Sequence, residues 1–228
     1  MKNKNDFYNW FDQIKNKLGI RSLSFTKIFN YLDKLPDPII IIETGCLRIK
    51  DNFSGDGQST LLFDKYTQSR GNGSKVFTVD IDPVATNICK SLVSDNVDIF
   101  TGDSVKYLND LTKKFHEEKI NVSMFFLDSC DVEWIDPGES SAHHLKEIEC
   151  VKSLLNEKTI VVVDDSPIMC LLSQAEGQEN NLEVIEQPPA TKPYIGGKGS
   201  LVHKYADSMG AKLYFSHYQS AWTGFKKN

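Results

Sequence analysis

Ile39-Ile40-Ile41-Ile42-Glu43-Thr44-Gly45 runs from an unbroken aliphatic stretch straight into an acid and a glycine. Neighbouring side chains on a strand point to opposite faces, so four aliphatic residues in a row need apolar cover on both. That is the pattern of a parallel sheet sandwiched by helices. It recurs along the chain. Lys75-Val76-Phe77-Thr78-Val79 leads into Asp80-Ile81-Asp82-Pro83, and Val97-Asp98-Ile99-Phe100 leads into Gly102-Asp103-Ser104. Val122-Ser123-Met124-Phe125-Phe126-Leu127 leads into Asp128, and residues 159–163 lead into Asp164-Asp165. Helical spacing fills the intervals at 85–92, 104–115 and 140–155. Strand alternating with helix predicts an α/β fold with a doubly wound, mostly parallel sheet.

Before the first strand, Phe7, Trp10, Phe11, Ile14 and Leu18 recur at helical steps, and Leu23, Phe25, Ile28, Phe29 and Leu32 continue past Gly19. Pro36 and Pro38 end the pattern. This predicts an N-terminal helical cap over 1–36 and an α/β core over 37–228, together one domain. Residues 211–225, with Leu213-Tyr214-Phe215 and Ala221-Trp222, are expected to close the sheet as a hairpin. The segment 186–200 is rich in Pro, Gly and Lys and reads as a mobile loop, with Lys192, Lys198 and Lys204 on a solvated face. That loop and the N-terminal helices are expected to form a lid.

The 228 residues are 40% hydrophobic and 25% charged, enough to bury a sizeable core. A net charge of -5 offers no basic field for nucleic acid. No aliphatic run is long enough to cross a bilayer, and the polar start lacks the apolar stretch of a signal peptide. Five singly scattered cysteines suggest reduced thiols, hence a cytoplasmic location. Whether the chain forms homo-oligomers stays open.

In a doubly wound sheet, ligands bind beyond the carboxyl ends of the strands, and here nearly every strand ends on an acid. Glycines in Glu43-Thr44-Gly45 and around Gly57 would let backbone approach a ligand, and a helix starting near Ser59 would offer free N–H groups to a carboxylate. An ordinary loop with a Ser cap reads equally well. Asp80 suits the two hydroxyls of a ribose. Asp103 suits an adenine amino group or, failing that, the cap of the next helix, and Asp82 reads as a helix cap before Pro83. Asp128, Asp164 and Asp165 end neighbouring strands and could converge on a hard cation, Mg²⁺ or Mn²⁺, that would offset their repulsion. Solvated turn acids are the plain alternative. His143 and His144 lie about 100° apart on a helix, so at most one can face a site and act as a base. Trp134, Tyr194, Tyr218 and Trp222 could line a substrate pocket or fill core.

Taken together, Glu43-x-Gly45, Asp80 in Thr-Val-Asp-Ile-Asp-Pro, Gly102-Asp103-Ser104, Leu127-Asp128 and Val163-Asp164-Asp165 resemble the class I S-adenosylmethionine-dependent methyltransferases. They are most similar to the cation-dependent O-methyltransferases, the group of the catechol and macrocin enzymes. The resemblance spans roughly residues 39–167 and implies a Rossmann-like sheet that closes in a C-terminal antiparallel hairpin. It implies that Glu43, Gly45, Gly57 and Ser59 hold the methionine end of S-adenosylmethionine, Asp80 the ribose, and Asp103 with Ser104 the adenine. It further implies that Asp128, Asp164 and Asp165 bind the cation. Asp131, three positions after the first metal acid, would take the base's place, where the catechol enzymes carry a lysine. Residues 48–55 are extra in the glycine-rich turn. The expected activity is metal-dependent O-methyl transfer to a hydroxyl of a small molecule or sugar. Two rivals are a glycosyltransferase with Asp80-Ile81-Asp82 as its Asp-x-Asp clamp, and a nucleotide-binding module without catalysis.

Overall fold

Side chains alternate across the central strands with period two, and the alternation builds two separate cores. In a computed structural model of the chain, residues 4–167, 170–173, 181–184 and 195–226 are described, with side chains over 5–167 and 195–226. The elements in chain order are α1 (Lys4–Ile14), α2 (Ser22–Leu32), β1 (Ile40–Thr44), α3 (Ser59–Arg70), β2 (Lys75–Asp80), α4 (Pro83–Leu92), β3 (Val97–Thr101) and α5 (Ser104–Glu117). Then come β4 (Met124–Leu127), α6 (Gly138–Cys150), β5 (Ile160–Val163), β6 (Cys170–Ser173), β7 (Asn181–Val184), α7 (Ser200–Ser208), β8 (Lys212–Ser216) and β9 (Ser220–Thr223).

Ile41, Met124, Phe126, Ile160 and Val162 face α1, α2 and α3. Ile40, Ile42, Phe125, Leu127, Val161 and Val163 face α5, α6 and α7. The seven strands run β3-β2-β1-β4-β5-β9-β8. β1 pairs in parallel with both β2 and β4, so strand order reverses at β1. β9 pairs antiparallel with β5 and with β8, which is the predicted hairpin.

Three features depart from expectation. The N-terminal helices are one layer of the core rather than a detachable lid: Phe25 and Phe63 close on Phe126 of the sheet at ring-centroid distances of 6.0 and 5.1 Å, and Phe7 and Phe11 meet Phe29 edge to face behind them. β3, expected to be covered on both faces, is an edge strand in which only Val97 is buried. β6 and β7 form a separate two-stranded sheet that short, weakly patterned sequence did not announce. The expected loop over 186–194, including Lys192 and Tyr194, lies outside the described residues. Residues 195–199, its far end, are buried.

Candidate active site

Strand direction decides what the end of β1 can do. Glu43 follows Ile41 onto the α3 side, where its Oε2 accepts hydrogen bonds from Thr60 and Thr78, both at 2.7 Å. Thr60 in turn accepts from the Leu47 amide at 2.9 Å, so Glu43 pins the start of the glycine-rich turn. It is fully buried and lines neither cavity described below, which corrects the expectation that it holds a ligand directly. Thr44 points the other way and donates to Glu147 of α6 at 3.1 Å. Gly45 takes φ of +78°, and a Cβ there would lie 2.5 Å from the Asp128 carbonyl oxygen. Only glycine lets the ends of β1 and β4 come this close.

Two cavities open at this reversal point and share Gly45, Arg48, Asp80, Asp128 and Asp131 in their walls. The larger, about 390 Å³, extends over Asp103, Ser104 and His143. The smaller, about 240 Å³, extends over Arg21, Ser59, Trp134, Asp165 and Tyr218. The Asp80 carboxylate is oriented by the amides of Cys46 (3.0 Å) and Asp82 (2.9 Å). Asp82 and Asp103 each cap a helix, accepting from Val84 and Lys106 at 2.8 Å. Asp103 still faces the larger cavity with its cap made. Ser59 is the first residue of α3, behind a left-handed Gln58 that provides no side-chain cap, so first-turn N–H groups open toward the smaller cavity. Gly57 lines neither cavity and instead leaves room for Arg21, whose Cδ would be 3.0 Å from its Cβ.

The extra residues 48–55 are an ordered wall. Arg48 binds Asp56 through Nε at 3.0 Å and Asp131 through one terminal nitrogen at 3.2 Å. Arg21 donates to the Ser54 carbonyl at 3.1 Å from the opposite side. Asp131, its side chain 76% exposed, therefore stands on the partition between the cavities with Arg48 setting its direction.

Asp128, Asp164 and Asp165 do converge, with one carboxylate oxygen from each lying within 4.8 Å of the others. Their charge is met from within the chain. Lys198 puts its Nζ 2.7 Å from Asp128 and 2.9 Å from Asp165. Arg21 binds Asp164 at 3.1 Å and approaches Asp165 at 3.6 Å, its guanidinium lying over the Tyr218 ring. The Tyr218 hydroxyl donates to Asp165. Burial works against charge here, yet Lys198 and Arg21 hold the Asp165 carboxyl down at about 2, and the surrounding carboxylates raise Lys198 above its ordinary value. One expectation falls: Lys198 is 1% exposed and not on a solvated face. Lys198 and Arg21 offset the acids' repulsion only in part, since burial and the neighbouring carboxylates keep Asp128 and Asp164 raised above the ordinary carboxylate range. As arranged, the set does not fit a divalent cation, because an ammonium already bridges two of the three acids.

His143 and His144 separate as their helical phase requires. His143 reaches the larger cavity, with Nε2 3.0 Å from Ser104 and 3.3 Å from Glu147. The Glu147 contact raises its pKa. His144 is 0% exposed, with Nδ1 2.6 Å from the Ser140 carbonyl, and burial lowers its pKa to about 4. It is core and lines neither cavity, so it cannot serve as a base in either. Trp222 is likewise core, while Trp134 and Tyr218 line the smaller cavity.

Glu147, which sequence reading passed over, is the buried hub beneath the site. It accepts from Ser129 at 2.6 Å and from Thr44 and His143. Burial opposes its ionisation, but these partners hold it at about 2, against an ordinary 4.5. Glu43 goes the other way: burial outweighs its hydroxyl donors and raises it from 4.5 to about 7. The signs follow by linkage. Glu147 contributes about 3 kcal/mol of stability above its unfolded pKa that is lost as pH falls toward 2. Glu43 costs stability of similar size as pH rises from 4.5 through 7. Urea midpoints across pH should therefore show Glu43→Gln flattening the neutral side and Glu147→Gln flattening the acid side. Reversed slopes would contradict both assignments.

Residues 54–166 match the model of a family described as a methyltransferase domain. The match supports a class I S-adenosylmethionine-dependent methyltransferase. It runs from the glycine-rich turn to the residue after Asp165 and so includes Asp80, Asp103, Asp128 and Asp131. No curated protein matches the chain. Among the described residues no helix is long and apolar enough to cross a membrane.

Proposed function

We propose that the chain transfers the methyl group of S-adenosylmethionine to a hydroxyl oxygen of a small molecule or sugar. The observation that carries this reading is the pair of cavities that meet at Gly45, Asp128 and Asp131 where the strand order reverses. The larger is of ligand size, and Gly45, where a Cβ would strike the Asp128 backbone, lets β1 and β4 close together beside it. Asp80 would take the ribose hydroxyls, Asp103 and Ser104 the adenine, and Gly45 with the first turn of α3 the methionine carboxylate. When bound, S-adenosylmethionine supplies a methyl group activated on a sulfonium.

The smaller cavity would hold the acceptor against Trp134 and Tyr218. Asp131 belongs to both walls, so its carboxylate can accept the hydroxyl proton as the oxygen attacks, with Arg48 keeping it aimed. His143 is tied to Ser104 and Glu147 on the cofactor side and is the weaker candidate. No step is assigned to a metal. The match of residues 54–166 to a methyltransferase-domain family model favours methyl transfer over the glycosyltransferase reading.

The test is incubation with a methyl-labelled donor and a metabolite extract, read by mass spectrometry. Label is expected on an oxygen of a hydroxylated product. Label on carbon or nitrogen, or a cofactor that binds without any transfer, would overturn the reading, the second outcome in favour of a binding module.

A further inference from the structure

We propose that the Lys198 ammonium stands where the strand-end acids of this chain would otherwise gather a divalent cation, making the site independent of metal. Its Nζ bridges Asp128 and Asp165 at 2.7 and 2.9 Å. Of the carboxylate oxygens in the cluster, Asp128 Oδ1, Asp164 Oδ2 and both oxygens of Asp165 are engaged by Lys198, Arg21 or Tyr218. A metal ion on the same oxygens would press against the buried Lys198 ammonium and Arg21 guanidinium, like charges at contact distance.

The lysine is delivered by a backbone built for the purpose. Lys198 N donates to the Asp165 carbonyl and Gly196 N to the Ser166 carbonyl, both at 3.0 Å, so residues 196–198 lie against the end of β5. Gly197 sits at φ of +48°, and a Cβ there would run into the Asp165 carbonyl oxygen. A Cβ on Gly199 would lie 2.7 Å from the Ser166 hydroxyl. The glycines on either side of Lys198 are what allow the approach. One acid oxygen, Asp164 Oδ1, is buried with no hydrogen-bond partner among the described residues.

Lys198 is on this account a positioning residue: it fixes Asp128 and Asp165 beside the shared wall. Its part in catalysis rests on the methyl-transfer reading, but its charge role does not, and the test needs neither donor nor acceptor. Mn²⁺ is titrated into the full chain and followed by electron paramagnetic resonance, with thermal melting as a second readout. Wild type is expected to bind no Mn²⁺ up to about 1 mM, a range in which open carboxylate sites fill. Lys198→Ala, which opens the space and frees the acids, should bind at least about tenfold more tightly and melt higher with Mn²⁺. Lys198→Arg, which keeps the charge, should gain nothing. Tight Mn²⁺ binding by wild type would overturn the proposal, as would a folded Lys198→Ala that binds no better. Should Lys198→Ala fail to fold, the wild-type titration decides alone.

Discussion

Asp131→Asn is expected to lower turnover about 10²–10⁴-fold, the usual cost of a lost general base, while cofactor affinity changes little. The substitution keeps the shape that Arg48 grips and removes only the capacity to take a proton. Of the three carboxylates on the shared wall, Asp80 is held by the Cys46 and Asp82 amides and Asp128 by Lys198, whereas Asp131 meets, among the described residues, only the Arg48 side chain. One terminal nitrogen of Arg48 spans both oxygens at 3.2 and 3.3 Å and so orients the carboxylate from a single side. His143→Gln is the internal control. That ring sits on the cofactor side, so the variant should weaken cofactor binding more than it slows the chemical step. Single-turnover rates at saturating donor separate the two. An active Asp131→Asn beside a dead but cofactor-binding His143→Gln would move the base to the histidine.

Gly45→Ala should have the larger structural effect. A non-glycine residue in the left-handed region costs about 1–2 kcal/mol by itself. Here the added Cβ also meets the Asp128 carbonyl at 2.5 Å, and neither backbone can yield without parting β1 from β4. That seam is the floor of both cavities. We expect a loss of about 3 kcal/mol of stability and a fall in affinity for the demethylated cofactor of at least about a hundredfold, since the close approach of backbone to ligand is what the glycine permits. Gly71→Ala separates strain from clash: its φ is +63°, but nothing lies within 4 Å of a Cβ there. It should cost about 1 kcal/mol and leave binding unchanged. Equal effects of the two substitutions would mean that the seam has no special part in the site.

The fold was legible because its determinants are local. Residues 39–42 need apolar cover on both faces whatever surrounds them, and each strand of the parallel series announces its end with an acid or glycine. The positions of Asp80, Asp103 and Asp128 at the cleft follow from topology alone. Glu43 shows the limit of that reasoning. It sits at a strand end, but period-two direction turns it into the α3 layer, where hydroxyls of Thr60 and Thr78 receive it. The cations were harder still. Arg21 meets Asp164 across 143 positions of sequence, and Lys198 meets Asp128 across 70. A lysine in a stretch rich in Pro and Gly reads as solvated unless its partners are known. The one local signal was Gly196-Gly197-Lys198-Gly199, a cation bracketed by residues that permit close backbone approach. Glu147 left a fainter trace, four positions after His143 and so on the same face of α6.

Whether the cleft at the ends of β1, β2 and β4 holds S-adenosylmethionine is tested most directly by calorimetric titration of S-adenosylhomocysteine into the wild-type chain. Saturable binding of one equivalent is expected, with a rise in melting temperature that reflects about 2.7 kcal/mol of stabilisation at a hundredfold excess over the dissociation constant. A well-folded protein that shows neither heat of binding nor any shift in melting temperature would contradict that reading.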